Sequence, residues 1–236
     1  MANFSRIEVV TKMYETGIVP VFYHPDPAIC ISILKVCYHA GIRVFEFTNR
    51  GDFAHKTFEE LVRFAAIELP EMVLGIGSIV DPATAALYLQ LGANFIVSPI
   101  MNPEVAKVCN RRKVAWVPGC GTLTEISEAE SIGAEVVKIF PAEQVGGLKF
   151  IKAVKGPCPW SSIMPTGGVE PNKEVVTHWL NKGAHCVGIG SSLFSQDNEG
   201  DFNLIQIENQ LMALTEAVTA MNRTLIRHSN RSVVIG

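Results

Sequence analysis

The chain has 236 residues, 48% of them hydrophobic and 18% charged, with 20 basic against 23 acidic side chains for a net charge of -3. That length suits one barrel-sized domain or two small ones, and the apolar fraction excludes a disordered chain. The near balance of charge offers no basic surface for nucleic acid or a membrane, and no apolar run approaches the roughly 18 residues that cross a bilayer.

The opening MANFSRIEVVTKMYETG is amphipathic and lacks the basic-then-apolar order of a secretory signal. A cytoplasmic protein with neither a nucleic-acid nor a membrane partner is therefore expected. Cysteines at 30, 37, 109, 120, 158 and 186 contain no C-x-x-C, and reduced thiols are expected. The histidines show no zinc-ligand spacing, so no metal is expected.

In chain order, a helix is expected over 3–16. Short apolar runs then recur at 18–22, 43–48, 72–79, 94–99, 114–119, 135–140, 161–168 and 185–191, each followed by an amphipathic stretch. Their continuous apolarity predicts parallel strands covered on both faces. Asp26-Pro27, Asp81-Pro82 and Asn102-Pro103 place a capping side chain before a proline preset for the first helical turn. Gly41, Gly92, Gly133 and Gly183 sit where left-handed residues end helices. Eight repeats of this grammar predict an α/β fold, a single (β/α)8 TIM-type barrel, over an open doubly wound sheet. One domain spans 1–236, with its core over about 17–194. The remainder, 195–236, reads as a polar loop, a helix over 203–228 and a mobile tail from His228.

Two strands carry a charge in mid-run, Glu46 in VFEF and Lys138 in VVKIF. A strand inside a parallel barrel has no wet face, so a lone charge there costs several kcal/mol unless paired. Period-two alternation puts Val44, Glu46 and Thr48 on one face, and Val136, Lys138 and Phe140 on another. A structural ion pair is one reading. The other is chemistry, because barrel active sites lie at the C-terminal ends of strands. Burial and a neighbouring cation such as Arg50 can free a lysine amine to attack a ketone, and Glu46 is the carboxylate placed to move protons. Arg50 can also clamp an anion. PTGGV (165–169) and GIGSS (188–192) are glycine-rich exits of strands seven and eight, where barrels commonly hold phosphate. A side chain at Gly168 or Gly190 is expected to obstruct such a group. GIGS (75–78) is read as letting substrate approach the backbone, and none of these is a dinucleotide fingerprint.

The ordered motifs GIVPV, FEFTNR, GIGSI, FIVSP, VPGCGTLTE, VKIFPAE, MPTGGV and GIGSSL run from Gly17 to Phe194. In them the chain resembles the class I aldolases that cleave 2-keto-3-deoxy-6-phosphogluconate (KDPG), often also 4-hydroxy-2-oxoglutarate (KHG). The resemblance implies Lys138 as the Schiff-base lysine and Glu46 as the general acid/base. It places Arg50, Ser78, Pro99 and Phe140 around pyruvate and Thr166 by the hydroxylated part of the substrate. Gly167, Gly168, Gly190 and Ser191 then face the phosphate. It implies a small keto-acid substrate, no cofactor and a homotrimer. Ser78 stands where the family commonly has Thr, and SPI replaces SPG, which puts Ile100 and Met101 at the pocket rim. The tail past about residue 205 is longer than the family needs. The competing readings are a phosphosugar isomerase or epimerase on the same barrel and a non-catalytic binder of phosphorylated sugar acids.

Overall fold

The computed structural model describes residues 2–197 and 199–232, and only the backbone of 222–232. Its first helix, α1 (Arg6–Thr16), starts at a capping box. The Ser5 hydroxyl accepts from the Glu8 N–H, and the Glu8 carboxylate accepts from the Ser5 N–H. Then come β1 (Ile18–Phe22), α2 (Pro27–His39), β2 (Val44–Thr48), α3 (Ala54–Glu68), β3 (Val73–Gly77) and α4 (Pro82–Leu91). The chain continues through β4 (Phe95–Val97), α5 (Pro103–Arg111), β5 (Ala115–Val117), β6 (Gly119–Cys120) and α6 (Leu123–Ser131). It ends with β7 (Val137–Ile139), α7 (Gly147–Lys155), β8 (Ile163–Pro165), α8 (Lys173–Asn181), β9 (Val187–Ile189) and α9 (Leu204–Ser232).

The expected punctuation works as written. Asp26, Asp81 and Asn102 accept from the N–H groups of Ala28, Thr84 and Glu104 at 2.8, 2.8 and 3.0 Å. Gly41, Gly92, Gly133 and Gly183 all take positive φ. Each apolar run contains a strand, and the strands pair in parallel. The fifth run departs from expectation. It is broken at Pro118, which has no N–H to give to a ladder. Residues before the break pair with β4 and those after it with β7. One sheet therefore runs β5-β4-β3-β2-β1-β9 and a second β6-β7-β8. Single bridges, Ile163↔Ala184 and Thr166↔Gly188, join β8 to the segment around β9. The result is a parallel α/β architecture of the TIM type.

Burial divides the apolar residues in two. The larger cluster lies between strands and helices and holds the odd-numbered residues of β2, Phe45 and Phe47. A smaller inner cluster takes Val19, Val44, Val73, Phe95, Val117 and Met164 from both sheets. Val9 and Met13 of α1 close it from below. The six cysteines are free thiols, five of them buried. No helix of the described residues is long and apolar enough to cross a membrane.

The C-terminal helix starts at Leu204 and runs to Ser232, past the expected end at 228. Residues 233–236 of the tail expected to be mobile lie outside the described residues. The helix packs on α1, α2 and α8. Ile207, Leu211, Leu214 and Val218 are buried in the larger cluster. The Thr215 hydroxyl donates to the Ala40 carbonyl at 2.8 Å, and Gln210 Nε2 donates to Pro171 at 2.8 Å. Far from being surplus, α9 covers the outside of the first and last strands. Leu211→Ala should therefore cost about 2–5 kcal/mol, the usual loss for emptying a fully buried leucine site. A thermal melt reads it, and an unchanged midpoint would make α9 an appendage.

Candidate active site

Strand β2 rises from the inner cluster. Val44 is packed among apolar neighbours at the bottom, Glu46 stands one pleat above it, and Thr48 follows at the exit. Lys138 stands above Val136 in the same way on β7. The alternation read from the sequence thus holds on both strands, and it aims the two charges at each other. Lys138 Nζ lies 3.6 Å from Glu46 Oε1, with side chains 7% and 1% exposed. The glycine at 77 makes room, since a Cβ there would overlap the Glu46 carboxylate. Gly75 does the same for the Phe95 ring. These two glycines of the GIGS run make room for neighbouring side chains.

Burial pushes the Glu46 carboxyl above the ordinary carboxylate range, and the nearby Lys138 and Arg50 cations offset this only in part. Its Oε2 has no hydrogen-bond partner, and neither has the buried Thr166 hydroxyl. The Phe140 ring covers the lysine, with Nζ 5.2 Å from the ring centre.

Below about pH 4 both folded and unfolded chains carry the Glu46 proton. As pH rises, the unfolded chain loses that proton first, so this group's contribution to stability drains away until the native carboxyl ionises. A glutamine has no such dependence. The melting temperature of Glu46→Gln relative to the parent should therefore climb between pH 4 and 7. A constant difference across that range would refute the raised native value.

Both charges open into one pocket of about 780 Å³ at the strand exits. Arg50, Ser78, Pro99 and Phe140 line one part of it, with Thr166 close by. The β2 and β3 exits are tied by the Asn49 N–H donating to the Gly77 carbonyl at 2.9 Å. Ser78 turns into the pocket from a left-handed backbone (φ 62), a conformation that costs a non-glycine residue and is concentrated at functional sites. Gly167, Gly168, Gly190 and Ser191 line the other part. Every residue expected at the site is thus brought to a single pocket. Ile100 and Met101 do not line it: Ile100 is exposed, and Met101 packs against the larger cluster.

The phosphate-end glycines differ. Gly168 has φ 87, and a Cβ there would meet Glu143 Cβ at 2.5 Å, so its glycine is required by the backbone. Gly190 has φ -97, and nothing stands nearer to a Cβ than the Val21 carbonyl at 3.9 Å. Gly167 is not crowded, its nearest neighbour to a Cβ being Pro141 at 3.5 Å, but its φ of 89 favours glycine, so of the three Gly190 is the one with both space and a negative φ.

Sequence reasoning missed Tyr23, His24, Glu143, Glu170, Gln196 and Phe202, which also line the pocket. His24 follows the β1 exit by two residues, a position that was legible. Phe202 arrives from the approach to α9, and no local pattern announces it.

Fold and site together define a TIM-type α/β protein that brings a buried amine and a buried carboxyl to one pocket. A family model described as KDPG and KHG aldolase matches residues 9–208. The 2-dehydro-3-deoxy-phosphogluconate aldolase of Pseudoalteromonas atlantica is 32% identical over 80% of this chain and 86% of its own length. The KHG/KDPG aldolase of Escherichia coli K12 is 30% identical over the same shares. A solved KDPG aldolase of Legionella pneumophila, with pyruvate captured as a covalent carbinolamine, is 25% identical with a TM-score of 0.72. It covers 90% of this chain and 97% of its own. The chain belongs to the KDPG and KHG aldolase family, and it is a carbon–carbon lyase.

Proposed function

We propose that the chain cleaves 2-keto-3-deoxy-6-phosphogluconate to pyruvate and glyceraldehyde 3-phosphate through a Schiff base on Lys138, and 4-hydroxy-2-oxoglutarate to pyruvate and glyoxylate by the same route. The observation that carries this reading is the Lys138–Glu46 pair at 3.6 Å, buried beneath a pocket that also holds an arginine and two glycine-rich exits. The unprotonated Lys138 amine attacks the C2 ketone. Glu46 moves the protons as the carbinolamine forms and loses water to give an iminium. The C3–C4 bond then breaks, its electron pair passing into the iminium as the C4 hydroxyl gives up its proton and becomes the aldehyde. The enamine takes a proton at C3, and water releases pyruvate. The raised proton affinity of Glu46 suits a group that must hold a proton and return it. Arg50 holds the pyruvate carboxylate, with Ser78 and Pro99 beside it. Phe140 covers the imine, and Thr166 meets the substrate hydroxyls with its unpaired Oγ1.

The wider reading is a single domain whose strands close as an eight-membered barrel across the Pro118 break and the β8–β9 bridges. It works as a cytoplasmic homotrimer. Support for association comes from exposed apolar side chains at neighbouring exits, Phe53, Val80, Ile100 and Leu123, with Leu87 on α4.

Lys138→Ala and Lys138→Arg should abolish turnover, since a guanidinium forms no imine, and Glu46→Gln should slow it roughly 10²- to 10⁴-fold. Borohydride reduction with pyruvate, read by mass spectrometry, should mark the VKIFPAE peptide alone. A mark on Lys149, Lys152 or Lys155 of α7 would overturn the assignment. Of these, Lys155 is tied down, its Nζ donating to the Ser161 carbonyl at 2.5 Å.

The phosphate is expected on backbone N–H groups at the β8 and β9 exits. Gly190→Val fills a space that no side chain occupies, from a backbone (φ -97, ψ -130) outside the ordinary α and β regions, so the melt reports any strain; a change at Gly168 also collides with Glu143. Its kcat/KM for the phosphorylated substrate should fall at least tenfold relative to that for the unphosphorylated 2-keto-3-deoxygluconate. Steady-state kinetics with a melt as control measures this, and an equal loss for both would remove phosphate from these exits.

A further inference from the structure

Two residues past β1, His24 lines the same pocket as Lys138. Its position follows from register. Pro20 pairs with Ile189, so the chain leaving β1 rises beside Gly190 and Ser191. The imidazole is held on two sides. Its Nδ1 accepts the Asp26 N–H at 3.1 Å, at the start of α2, and its ring stands edge-on to Phe202 at 6.1 Å and 84°. An Nδ1 that accepts carries no proton, so the neutral ring must carry its hydrogen on Nε2. Among the described residues that N–H has no hydrogen-bond partner. It is a preset donor in a pocket also lined by the carboxylates of Glu143 and Glu170.

We propose that His24 is a specificity-determining residue, its Nε2–H donating to the terminal phosphate of the substrate beside Gly190 and Ser191. The proposal rests on the aldolase reading above and extends it to a side chain that the family motifs do not include. A dianion facing two carboxylates gains most from a donor whose direction is fixed before binding. Phe202 and the Asp26 N–H supply that fixity. The approach to α9 thereby takes part in recognition.

The test is steady-state kinetics of the parent, His24→Ala and His24→Asn on 2-keto-3-deoxy-6-phosphogluconate and 2-keto-3-deoxygluconate. Asparagine can still accept the Asp26 N–H but is too short to replace Nε2, so it guards against loss of the α2 cap. In both variants the kcat/KM preference for the phosphorylated substrate should fall about 10- to 100-fold, the worth of one hydrogen bond to a charged acceptor. The change should lie mainly in KM, as for binding shared by ground and transition states. Pyruvate trapping at Lys138 should persist. An unchanged preference in a folded variant, or an equal loss on both substrates, would overturn the role of His24 while leaving the aldolase reading standing. A parent enzyme that forms no pyruvate adduct and turns over neither substrate would overturn both.

Discussion

One constraint governs the molecule: a lysine and a glutamate are kept away from water 3.6 Å apart. Taking a lone charge into a parallel α/β core costs several kcal/mol, which pairing and the raised proton affinity of Glu46 both reduce. Much of the surrounding sequence serves that arrangement. Val44 and Val136 give both strands an apolar footing, Gly77 clears the space for the carboxylate, and Phe140 roofs the amine. Burial has a chemical result as well, since it raises the proton affinity of Glu46 in the direction that acid–base work needs.

The helix punctuation and the two charged strands were legible because each has a local cause. A cap, a left-handed glycine and a charge in an apolar run are properties of a few consecutive residues. Asp26, Asp81, Asn102, Glu46 and Lys138 all belong to this kind. The broken fifth strand was harder to read, although Pro118 stood in plain view. Whether a proline interrupts a strand depends on which neighbour needs its N–H, and that is a property of the sheet. The glycines of GIGS were ambiguous for a similar reason. A missing side chain looks the same in a sequence whether the space goes to substrate or to Glu46 and Phe95.

The far wall of the pocket was the least legible part. Tyr23, His24, Gln196 and Phe202 come from two segments separated by most of the chain, joined because β1 lies against β9. Phe202 reaches the pocket through contacts with Phe22 and His24. The segment leading into α9 thus becomes a wall of the site, for reasons of topology that no short window of sequence contains.

The break at Pro118 reaches further than a local interruption. Glu46 belongs to the six-stranded sheet and Lys138 to the three-stranded one. The buried pair therefore spans a seam, crossed by the chain at Pro118 and by single bridges between β8 and the β9 segment, and its separation depends on how the strands meet there. Substitutions along that seam, or in helices that brace one sheet alone, would tune proton transfer from outside the pocket. The evolutionary corollary is epistasis: the tolerance of a distant core position would depend on what stands across the seam from it.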